Sequence, residues 1–200
     1  MTAREREVAV LDPHGELARA AADGDLTAMR QLLDAVAPRV LRVVRSVLGG
    51  SSPDAEDVAQ ESLIALVRAL PAFRGECPAD GYAARIAVRT AVAARKRRLG
   101  REQRLRELPQ AIEQTEPPAA EHYAAELRKD LIRELLGELP EAQAETLALR
   151  VVLGCSLEEI ASATGAPLNT VRSRLRLAKQ ALKERIEADA ELAEKLEVRG

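Results

Sequence analysis

One stretch, residues 156–186, constrains the fold more than any other. Its centre reads Ser156-Leu157-Glu158-Glu159-Ile160-Ala161-Ser162-Ala163-Thr164-Gly165-Ala166-Pro167-Leu168-Asn169-Thr170-Val171-Arg172-Ser173-Arg174-Leu175. Ser156 can cap a helix, and Glu159 completes a capping box. Gly165 stands where that helix must stop, because glycine enters a left-handed cap without strain. Pro167 suits the first turn of the next helix. Helix, glycine turn and second helix predict a helix-turn-helix. In the second helix Leu168, Val171, Leu175, Ala178, Leu182 and Ile186 form an apolar stripe. Asn169, Arg172, Ser173, Arg176 and Gln180 lie opposite, with Thr170 among them and Arg174 and Lys179 at the flanks. Such side chains suit phosphates and base edges in a major groove. A solvated basic face on an ordinary core helix is the alternative. The capped first helix and its turn favour DNA binding.

Hydrophobic residues make up 46% of the 200-residue chain but aromatics only 2%, so any core is built from Leu, Val, Ile and Ala. Abundant helix formers with few β-branched runs predict an all-α protein. No stretch is apolar for long enough to cross a membrane, and the charged N-terminus lacks a signal core. Cys77 and Cys155 have no neighbouring Cys or His, which argues against a structural zinc site and suits a reducing cytoplasm. His14 and His122 read as solvent-facing or helix-end histidines. A formal net charge of −2 does not by itself announce a nucleic-acid binder. The distribution does, since basic residues concentrate in two segments.

In chain order, Asp12-Pro13 can open a short helix through Ala22, and Asp25 can cap a helix carrying Leu26, Met29, Leu32, Leu33 and Val36. Pro38 is expected to start or kink a second apolar run. Gly49-Gly50-Ser51-Ser52-Pro53 should turn the chain, ending in an N-cap and a first-turn proline. The helix of residues 54–70 should bury Leu63, Leu66, Val67 and Leu70. Asp57, Gln60 and Glu61 share one of its faces at i, i+3, i+4, beside Asp54. Dipole-matched capping and docking of a basic partner both fit that face. After a loop at residues 71–78, a helix running past Leu99 carries Tyr82, Ile86, Val88 and Val92. It ends in Arg95-Lys96-Arg97-Arg98, and Arg85 and Arg89 extend the basic strip backwards. Charge this dense suits phosphate contacts. A polar, proline-bearing linker follows, then an amphipathic helix ending at Gly137, a helix from Glu141 to Leu153 stopped by Gly154, and the helix-turn-helix.

Together these motifs resemble bacterial RNA polymerase sigma factors of the extracytoplasmic-function (ECF) type, which have only regions 2 and 4. The resemblance covers about Asp23 to Ile186. Asp54-Ala55-Glu56-Asp57-Val58-Ala59-Gln60-Glu61 looks like the part that grips the β′ clamp helices, which assigns Asp54, Asp57, Gln60 and Glu61 to core polymerase. Phe73-Arg74-Gly75-Glu76 and the helix beyond look like the part that opens the −10 element. There Phe73, Tyr82, Arg85, Arg89, Arg95, Lys96, Arg97 and Arg98 would hold DNA. Residues 139–175 look like region 4, so Asn169, Thr170, Arg172, Ser173, Arg174 and Arg176 would hold the −35 element.

The resemblance implies two small helical domains joined by a flexible linker, the C-terminal one with the helix-turn-helix. The expected limits are a lead at 1–22, a region 2-like domain at 23–106, a linker at 107–125, a region 4-like domain at 126–187 and a charged tail at 188–200. Implied partners are core RNA polymerase through its β′ and β subunits, promoter DNA both double- and single-stranded, and an anti-sigma protein. No phosphate loop, His–carboxylate pair or nucleophile motif stands out, so no enzymatic activity, cofactor or metal is expected. The competing assignment is a helix-turn-helix regulator that does not bind polymerase.

Overall fold

The structure is a computed structural model. It describes the backbone of residues 12–106 and 120–188, and the side chains of residues 12–101 and 129–188. The eight α-helices of the described residues are α1 (Gly15–Ala22), α2 (Leu26–Leu48), α3 (Ala55–Ala69), α4 (Ala79–Arg106), α5 (Ala120–Glu138), α6 (Glu141–Val152), α7 (Leu157–Thr164) and α8 (Leu168–Glu187). A short 3₁₀ turn, Leu70–Ala72, follows α3. No strand occurs among the described residues. The expected all-α class is what folds.

Two compact units divide at Ala91 and Val92, inside α4. The first is built on α2. Its Leu32, Val36, Val40, Val44 and Val47 are buried, together with Ala18 and Ala21 of α1 and Leu66 of α3. From α4 come Ala83, Ala84, Ala87 and Val88. So many alanines let helix backbones approach closely without large side chains between them. Asp25 caps α2 as expected, its Oδ1 accepting from the backbone N–H of Thr27 at 2.7 Å and of Ala28 at 3.1 Å.

Pro38 does not start a new helix. It lies inside α2, exposed, so the carbonyl one turn back that loses its N–H partner can turn to water. The turn at residues 49–53 also ends later than its sequence suggests. Helix α3 begins at Ala55, and Asp54 in the cap position makes no side-chain cap bond. The N-terminus of α4 is held from outside: Asp12 Oδ2 accepts from the Ala79 N–H at 3.0 Å, and His14 Nδ1 lies 2.8 Å from Asp80 Oδ1. Asp12 therefore serves a helix 67 residues away rather than only opening its own.

The second unit buries Leu131, Leu135, Leu136 and Leu139 with Ala144, Leu147, Ala148 and Leu149 of α6. Ile160 of α7 and Val171, Leu175 and Ala178 of α8 complete its core. Gly137 does not end α5, which continues to Glu138. Its smallness has another use: a Cβ there would overlap Leu99 Cδ1. Of the linker expected at 107–125, residues 120–125 belong to α5, and residues 107–119 lie outside the described residues, as do the expected tail beyond 188 and the side chain of His122.

Candidate nucleic-acid interface

The helix-turn-helix forms as its sequence dictates. Ser156 is extended at φ −66°, ψ 167°, and its Oγ accepts from the Glu159 N–H at 3.1 Å. Glu159 Oε2 accepts from the Ser156 N–H at 2.7 Å, closing the capping box. Gly165 ends α7 in the left-handed region at φ 64°, ψ 14°, where a Cβ would be strained. Arg150, in the last turn of α6, donates to the Cys155 carbonyl at 2.8 Å and ties down the turn before α7. Ser156→Ala is expected to cost about 1 kcal/mol of stability, because the Glu159 N–H loses its Oγ acceptor. Thermal melting of the full chain measures it.

Helix α8 keeps Val171, Leu175 and Ala178 buried and leaves Asn169, Arg172, Ser173 and Arg176 exposed. Thr170 and Arg174 are half-buried at the edges of that face. Arg172 Nη1 donates to Asn169 Oδ1 at 3.2 Å. The face thus offers cations and amide groups along one side of a helix whose other side is locked into a core.

In the first unit, Asp57, Gln60 and Glu61 are exposed on α3, with Asp54 half-buried at its start. Val67 was expected in the core but is 37% exposed, and Ile64 is 46% exposed. Val58, Ala59 and Ser62 take the inward positions instead. The reason is register: Ile64 and Val67 continue the Asp57–Gln60–Glu61 stripe at intervals of three and four. The acidic face is therefore acidic at one end and apolar at the other, a feature that residue spacing could have revealed.

Phe73 and Tyr82 pack against each other, ring centroids 5.1 Å apart at 56°. The Tyr82 hydroxyl donates to the Ala69 carbonyl at 3.0 Å, so this aromatic pair ties the loop to the end of α3. Burial raises the Tyr82 pKa above its ordinary 10.0; Cys77 pushes the same way and Arg89 opposes. The folded state therefore holds this proton more tightly than the unfolded chain. Its stabilisation is intact below pH 10.0 and disappears as pH rises through the folded value. Alkaline absorbance titration should show one phenol ionising late, and Tyr82→Phe should remove that phase.

The basic strip of α4 is not uniformly open. Arg89 and Arg97 are exposed, while Arg85, Arg95, Lys96 and Arg98 are half-buried. Arg95 Nε itself is buried. Arg95 and Arg98 are thus packed along their stems, and only part of the strip's charge faces solvent.

Known proteins share this arrangement. The Sigma-70 region 2 family matches residues 32–101, and the Sigma-70 region 4 family matches residues 129–182. The ECF RNA polymerase sigma factor SigD of Mycobacterium tuberculosis is 36% identical over 177 residues, spanning 85% of this chain and 82% of that protein. This chain belongs to the ECF RNA polymerase sigma factors. It directs RNA polymerase to promoters. The ECF RNA polymerase sigma-E factor of Haemophilus influenzae is 32% identical over 146 residues, spanning 68% of this sigma factor and 77% of the relative. CnrH, solved in complex with the cytosolic domain of CnrY, shares the fold at TM-score 0.54 and 23% identity, over 90% of this chain and 100% of that one. Membership in this family displaces the assignment as a regulator that works without polymerase. Among the described residues, no helix is long and apolar enough to cross a membrane.

Proposed function

We propose that this sigma factor divides its work between residues 23–106 and 126–187. The first holds core polymerase and the −10 element, and the second holds the −35 duplex. In support, the two family matches fall inside these limits. Asp54, Asp57, Gln60 and Glu61 engage the β′ clamp helices, and Ile64 and Val67 add apolar area at the edge of that contact. Phe73 and Tyr82 offer an aromatic surface for bases of the opened strand, and the cations of α4 from Arg85 to Arg98 hold its backbone. Asn169, Thr170, Arg172, Ser173, Arg174 and Arg176 face the −35 major groove, where each bidentate base contact is worth about 1–3 kcal/mol.

The observation that carries this reading is α8: a helix that follows a capped α7 and a glycine turn, with its polar face outward. The chain supplies contacts rather than chemistry, and its work is placed in the cytoplasm, where polymerase is. An anti-sigma protein is a further candidate partner, since the neighbour CnrH was solved bound to the cytosolic domain of another protein. Run-off transcription with core polymerase on a library of promoter fragments tests the division of work. Wild type should start transcripts at a defined set of sites. Arg172→Ala/Arg176→Ala should lose that set while the chain still joins polymerase. Loss of polymerase binding in that variant would refute the division.

A further inference from the structure

We propose that Asn169 and Arg172 read DNA as one unit that presents chiefly hydrogen-bond donors, and so select guanine at the position Asn169 faces. This rests on the −35 reading above and adds the base that is chosen. The structure holds Arg172 Nη1 at 3.2 Å from Asn169 Oδ1. A guanidinium has donors only, so the amide atom that meets it must be the carbonyl oxygen. One of the two lone pairs of the Asn169 amide oxygen is thereby engaged by a cation, and its NH₂ group is the part left wholly to offer. Both residues lie in the first turns of α8, whose N-terminal residues are the ones a helix-turn-helix brings to base edges.

An asparagine with both amide atoms available pairs with adenine, accepting from N6 and donating to N7. Here the oxygen is already shared with a cation through a charge-assisted bond, which leaves its second lone pair the weaker acceptor for a neutral amine. Guanine makes no such demand. Its N7 and O6 are both acceptors, matching an edge made of the Asn169 NH₂ and the remaining Arg172 N–H groups. Cytosine presents a donor and is excluded. Thymine presents a single acceptor and is second best.

The test is selection by the holoenzyme, full chain plus core polymerase, from promoter duplexes randomised across the upstream element. Asn169→Ala identifies the base position, as the one whose preference disappears. At that position the wild type should favour guanine over adenine by about tenfold, the scale of one good base contact. Arg172→Ala frees the amide oxygen and should move the preference at the same position to adenine. Arg172→Lys, which keeps a donor-only cation, should retain guanine. Adenine already favoured by the wild type would overturn the inference, as would guanine retained in Arg172→Ala, and the −35 reading would survive either result. Failure to enrich any upstream sequence would overturn both.

Discussion

Asp57→Ala/Glu61→Ala is expected to abolish retention of the chain by core polymerase while leaving its helix content and melting temperature nearly unchanged. The two effects have different scales. Acidic side chains early in a helix contribute about 0.3–1 kcal/mol each through the helix dipole. Truncating one member of a buried, charge-paired contact costs about 2–5 kcal/mol in binding. Two such losses lie well beyond what a transient complex survives, whereas the dipole loss is a small part of domain stability. Asp57 and Glu61 are both exposed on α3, so their removal opens no cavity in the core. Co-purification with core polymerase, beside a circular dichroism melt, separates the two. Undiminished retention would remove α3 from the polymerase contact. A large drop in melting temperature would show instead that capping is the main use of these acids.

Ile160→Ala should be among the most damaging single substitutions in the C-terminal unit, although Ile160 lies in its core and not on the polar face of α8. It is 0% exposed and is the one residue of α7 in the core. Truncating a buried isoleucine costs about 2–5 kcal/mol, from lost burial plus the cavity left behind. A small helical domain has about 5–15 kcal/mol in total. The turn between α7 and α8 would loosen, and −35 recognition should weaken with it. Arg172→Ala should instead weaken recognition with stability intact. Denaturant unfolding of both variants, read beside duplex binding, distinguishes a scaffold residue from a reading one. Equal stability in the two would contradict the packing described here.

Much of the molecule is written locally. The capping box at Ser156, the left-handed Gly165 and the apolar stripe of α8 are all short-range, so residue type and spacing suffice to place them. The same holds for the Asp25 cap and for the exposed Asp57–Gln60–Glu61 face. The misplaced features are those in which a distant element decides. Val67 carries an apolar side chain that its helix turns outward, because α3 meets the core through Val58, Ala59, Ser62 and Leu66. Pro38 marks a break by local rules, yet the buried valines on both sides of it hold α2 together. Gly137 reads as a stop signal and is instead the spot where Leu99 needs room.

From its sequence alone the protein was determined to be all helical, to carry a helix-turn-helix near its C-terminus and to resemble a sigma factor, because periodicity, caps and charge runs are properties of neighbouring residues. Tertiary structure alone decided that Asp12 and His14 hold the start of α4, and that Arg95 and Arg98 are half-covered. It also decided that the Asn169 oxygen accepts from Arg172, leaving an edge rich in donors. Such facts depend on which side chains meet and in which orientation, and residue spacing along a chain carries no record of that.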